Sequence, residues 1–228
     1  MKVNLGRRLS LVSGTIQLGR QHKNWLSLGL ILGFGIVGCP HSAFAENAPE
    51  ILIRVINYAQ IPSDSVKAAE REAGRIFSAA GLLTQWVNCP GKGSPTDTFN
   101  ACNQPLEPHE IVLRLISEST NEPYRDTVFG SAVVPLVASV YVNYAVRSAK
   151  RDNAEFEVPV ILGSVIAHEI GHLLLGLNSH SATGIMQKRW ERKQLQLVTT
   201  GNLLFTAAQG KSMQAEMQRR TRLQVAVD

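Results

Sequence analysis

Apolar residues recur along this chain with two periods, and the switches between them outline a succession of strands and helices. Residues 51–58 are rich in β-branched side chains and predict a strand. After Pro62-Ser63-Asp64 the spacing lengthens. Val66, Ala69, Ala73, Ile76, Phe77 and Ala80 recur at helical spacing, and Gly81 closes that helix. Residues 83–87 predict a second strand and residues 110–117 a third. Residues 128–134 predict a fourth, with a glycine, Gly130, at a candidate bulge, and residues 138–144 a fifth. A polar loop is expected over residues 148–157, and Pro159 suits the first turn of the helix that follows. Residues 160–177 are then almost wholly apolar and long enough for a helix. Beyond Met186 a polar, basic connector holds Trp190, and Thr206 caps a last helix over about 207–220, weakened by Gly210. The chain carries no internal repeat and no low-complexity segment.

His168-Glu169-Ile170-Gly171-His172 interrupts the apolar run. On a helix, positions four apart share a face, so the two imidazoles can grip one zinc ion. Glu169, beside the first histidine, can then stand near the ion's water as general base. A chance pentapeptide in a core helix is the bland alternative, but burying two histidines and a glutamate without a partner is costly. Gly176 can end the helix, because glycine takes the left-handed conformation without steric cost. The chain then turns back, which makes His180 the candidate third ligand, with a carboxylate or another residue as the alternative, and Met186 can form a turn beneath the metal.

These residues resemble the metzincin clan of zinc endopeptidases, whose pattern is H-E-x-x-H-x-x-G-x-x-H followed by a Met-turn. Gly176 comes one residue late and His180 two residues late; Asn178 holds the standard register of the third ligand but is a poor one for zinc. The specific signature spans residues 168–186, and the element order extends the resemblance over most of residues 50–220. The tail from Gly184 to Thr206 also looks like exported bacterial metzincin-like proteins. The resemblance implies an α+β fold: a mixed, twisted sheet of about five strands, an active-site helix, a Met-turn and a C-terminal helix. It implies one zinc ion on His168, His172 and His180, Glu169 as general base, and Met186 packed under the imidazoles. It makes the fourth strand an antiparallel edge on which Phe129, Gly130, Ser131 and Ala132 would pair with an extended substrate peptide. A plain edge strand and a plain core methionine are the alternatives. A tyrosine that some metzincins carry two residues past the methionine is replaced by Lys188. His109 is expected at the surface, and no calcium-binding loop motif is present.

Charge and cysteines bound the rest. The formal charge is +5, but the first 45 residues hold Lys2, Arg7, Arg8, Arg20 and Lys23 and no acid. The remainder carries 18 basic and 18 acidic residues, so no nucleic-acid partner is implied. That leader reads as a signal peptide: a basic start, an apolar stretch over about residues 25–37, and Ala43-Phe44-Ala45 as cleavage site. The apolar stretch falls short of a membrane span. Residues 46–228 would then be one secreted or periplasmic domain, expected as a monomer. Ile36-Val37-Gly38-Cys39 offers the alternative of a lipoprotein anchored through Cys39. Cys89 and Cys102 flank a turn-rich loop and predict one disulfide in an exported chain. Three functions fit: a zinc endopeptidase acting on protein or peptide, a zinc amidase acting on cell-wall or small amide substrates, and an exported binding module with a structural zinc.

Overall fold

The computed structural model describes residues 48–90, 100–118, 128–151 and 157–225. The expected leader, with Ala45 and Cys39, lies outside the described residues. The elements run β1 (Glu50–Asn57), α1 (Ser63–Ala79), β2 (Leu83–Cys89), α2 (Asn100–Asn103), β3 (Glu110–Ile116), β4 (Gly130–Val133), β5 (Val137–Tyr141), α3 (Val142–Arg151), α4 (Val158–Leu175), α5 (Arg192–Thr199) and α6 (Ala207–Val225). The five strands form one sheet in the order β2-β1-β3-β5-β4. β1, β2, β3 and β5 are parallel, and β4 is antiparallel to β5 at the edge. This is the mixed five-stranded α+β arrangement that the resemblance implies.

Side chains alternate across a strand, so one face of the sheet is set by every second residue. Ile51, Ile53 and Val55 of β1, Ile111, Leu113 and Leu115 of β3, and Ala138 and Val140 of β5 are fully buried and belong to one core with α1 and α4. On the alternate positions, Arg54 of β1 pairs with Glu110 of β3, and both are buried. Arg54 also donates to the carbonyls of Gln104 (2.7 Å) and Pro105 (3.2 Å). A buried charge needs such company. The group ties the segment after Cys102 to the sheet, and the Cys89–Cys102 disulfide ties it to the end of β2. His109, beside Glu110, is half-buried rather than exposed, with Nδ1 lacking a hydrogen-bond partner.

α4 is apolar enough on every side to cross a membrane by length and composition. All its residues from Ile161 to Leu174 are buried instead, because α1, α3, α5, α6, β4 and β5 surround it. Pro159 sits in its first turn, and Gly176 caps its end at φ 96°. Thr206 caps α6 in a reciprocal pair: Gln209 N–H donates to Thr206 Oγ1 (3.2 Å), and Thr206 N–H donates to Gln209 Oε1 (2.9 Å).

Two expected elements change. The fifth strand stops at Tyr141, and residues 142–151 continue as α3, so the polar loop begins later than residue 148. Val142, Ala145 and Ala149 are buried at helical spacing, and that tertiary burial overrides the strand preference of Val142 and Tyr144. The connector after Met186 contains α5, a short helix that buries only Leu195 and Val198.

Arg220 ties α6 to α4 and to the connection between β4 and β5. It is buried, and donates to the Leu173 carbonyl near the end of α4 (2.7 Å), the Pro135 carbonyl between β4 and β5 (3.2 Å) and Glu216 (2.8 Å). Arg220→Met keeps the stem but strands those acceptors. It is expected to lower unfolding free energy by about 2–3 kcal/mol, readable as a lower urea midpoint.

Candidate metal centre

The helical repeat puts His168 and His172 one turn apart on α4, and their Nε2 atoms stand 3.2 Å apart. The chain reverses after Gly176 and returns His180 to the same point. Ring centroids lie 4.8 Å apart for His168–His172, 4.7 Å for His172–His180 and 5.5 Å for His168–His180. One ligand nitrogen from each ring falls within 4.8 Å of the others, so the three can hold a metal ion. Zinc–imidazole bonds of about 2.0–2.1 Å on a tetrahedral ion place two ligand nitrogens about 3.3–3.4 Å apart. The His168–His172 spacing fits that ion, and three nitrogen donors suit it chemically.

Outer contacts orient two rings. His168 Nδ1–H donates to the Ile185 carbonyl (2.8 Å); a carbonyl cannot donate, so the lone pair is left on Nε2. Trp190 Nε1–H reaches the same carbonyl at 3.3 Å. Phe129 meets the His168 ring edge-on at 4.7 Å and packs on Trp190 at 4.6 Å. His172 Nδ1 lies 3.0 Å from Ser179 Oγ. Partners of this kind typically govern about 10–100-fold in metal affinity. Ser179→Ala is therefore expected to weaken zinc binding by about that factor, measured by competition with a chromogenic chelator.

Electrostatics favour ligation. Burial, with smaller contributions from His172 and His180, lowers His168 from its ordinary range to about 3, against the opposing Ile185 hydrogen bond. Burial and then His180 lower His172; burial and then Lys188 lower His180. All three rings are neutral at neutral pH, the form that binds a metal. Glu169, 4% exposed, is pushed up to about 8 by burial.

His168, Glu169, His172 and His180 line one cleft of about 370 Å³. Phe129, Gly130, Ser131 and Ala132 line it too, with Val128, Leu177, Lys188 and Arg189. The edge strand thus forms one wall. Met186 is fully buried. A Cβ on Gly171 would come within 2.6 Å of its sulfur and 2.9 Å of Phe205, so the glycine inside the motif leaves room for the Met186 turn. Cys89 and Cys102 lie away from the cleft, at the strand on the opposite edge. Sequence reasoning misses Ser179, Trp190 and Arg189 as site residues and marks Lys188 only as the replacement of a tyrosine past Met186; nearness in sequence to His180 and Met186 is the signal that could find them.

No protein-family model and no curated protein matches this chain. Solved structures do. A zinc-dependent peptidase from Methanocorpusculum labreanum (strain Z) is 18% identical, with TM-score 0.49, covering 71% of this chain and 99% of its own. Archaemetzincin from Methanopyrus kandleri is 17% identical, with TM-score 0.46, covering 77% of this chain and 99% of its own.

Proposed function

We propose that this chain is an exported zinc-dependent endopeptidase in which His168, His172 and His180 hold one zinc ion and Glu169 is the general base. One observation carries the reading: three neutral imidazoles converge in a cleft that a buried carboxyl also lines. When bound there, zinc would supply Lewis acidity that polarises a carbonyl and makes a water more acidic. Burial alone favours the protonated form of Glu169, and the double positive charge of a bound zinc would draw it back to the carboxylate, which accepts a proton from a water attacking the carbonyl carbon. Glu169 then returns the proton to the leaving nitrogen as the C–N bond breaks. β4, last in the sheet, offers main-chain donors and acceptors to an extended peptide, an addition that reads backbone rather than side chains.

A zinc that only pins the fold is usually closed by four protein ligands. Among the described residues the group is three histidines, which favours a site open to substrate. Export rests on the leader pattern of residues 1–45 and suits the Cys89–Cys102 disulfide.

Chelator-stripped protein titrated with zinc provides the test. Hydrolysis of a peptide library should return at one equivalent and saturate there. Zinc bound without cleavage of any peptide, but with cleavage of peptidoglycan fragments, would transfer the assignment to an amidase. Zinc bound with neither cut would leave an ion that serves the fold.

A further inference from the structure

The charges around the cleft are lopsided. Among the described residues that line it, the acid is Glu169, buried at the motif, and the cations are Lys188 and Arg189, both exposed. Neither cation forms an ion pair with a described residue, as Arg75 does with Glu72 and Arg219 with Glu216. The chain beyond its first 45 residues is formally neutral, so this local excess is not a general basic character.

The two cations are also held in place. They lie between Met186 and Trp190, both buried. Trp190 is anchored on the Ile185 carbonyl. Gln187 Nε2 donates to the Gly184 carbonyl (3.0 Å), and Gln194 Nε2 to Gln187 Oε1 (3.2 Å). The main chain of the turn is thereby fixed while the two charged heads stay in water beside the cleft.

We infer that the cleft selects acidic peptide segments, with Asp or Glu side chains near the cleaved bond pairing with Lys188 and Arg189. The inference rests on the peptidase reading for its substrate class and adds which peptides are taken. A low-dielectric cleft wall carrying one sign of charge concentrates ligands of the other sign. A bound divalent cation would deepen the same field.

The test uses zinc-loaded full chain carrying Glu169→Gln, so that peptides bind without turnover. Labelled peptides blocked at both ends and matched except for Glu, Gln or Lys at the central positions are titrated by fluorescence anisotropy. A Gln peptide with a free C-terminus separates a terminal carboxylate from a side-chain one. Exposed ion pairs each shift affinity by up to about fivefold, so the Glu peptide should bind about tenfold more tightly than the Gln peptide. Adding K188E and R189E should invert the order in favour of the Lys peptide, with zinc content unchanged. In 1 M salt, where charges are screened beyond about 3 Å, the preference should collapse. Equal affinities for the three blocked peptides, a preference untouched by K188E and R189E, or tighter binding confined to the free C-terminus would overturn the inference. Charge-selective binding by the Glu169→Gln protein, with no peptide hydrolysed by the wild-type chain, would sink the peptidase reading while the cleft's preference for acidic segments stood.

Discussion

Glu169→Gln is expected to lower kcat/KM for a peptide substrate by about 10²–10⁴-fold, the usual contribution of a positioned general base. Zinc per chain should stay at one. The amide has the shape of the carboxyl but cannot accept the proton, and none of the three imidazoles hydrogen-bonds to Glu169. Stability should not fall, because a buried carboxyl with a raised pKa is replaced by a neutral group. The paired measurement is metal content by plasma spectrometry and initial rate on a fluorogenic peptide. His180→Ala gives the contrast: metal and activity should be lost together. A Glu169→Gln protein that still turned over at the full rate would place the base elsewhere.

The legible part of this molecule is the part that local geometry dictates. Four-residue spacing fixes His168 and His172 on one helical face whatever surrounds them, and Gly176 ends that helix through its own backbone freedom. His180 follows because a chain that reverses there has few places to go. Ser179 under His172, Phe129 edge-on to His168 and Trp190 on the Ile185 carbonyl depend on how distant segments meet, and no spacing encodes that. The same limit explains α3. Val142-Asn143-Tyr144 has strand composition, and only the shared burial of Val142, Ala145 and Ala149 against the core makes it helical. α5 buries two apolar residues, too few for a periodic signal. Gly130, inside a strand pattern, predicts a bulge. The register from Gly130↔Val140 to Val133↔Val137 is regular, and the glycine has a different purpose.

That purpose leads to the second large effect. A Cβ on Gly130 would lie 2.0 Å from the Ser139 carbonyl oxygen and 2.9 Å from both Cγ and Cδ of Glu169. The first neighbour is backbone of the paired strand and cannot step aside. The second is the general base of the proposed mechanism. Gly130→Ala should therefore push β4 off β5 and displace the Glu169 carboxyl together. Overpacking of this kind costs about 1–3 kcal/mol of stability. A displacement of about 1 Å at a catalytic group can cost about 10²-fold in rate, and that is the loss expected in kcat/KM. Zinc affinity should hold, since the three nearest neighbours of that Cβ belong to Ser139 and Glu169 and not to an imidazole. A double-mutant cycle separates the two routes. If Gly130 acts through Glu169, then Gly130→Ala combined with Glu169→Gln should be scarcely slower than Glu169→Gln alone. Losses that multiply instead would mean that the glycine serves substrate pairing along β4 and not the placement of the base.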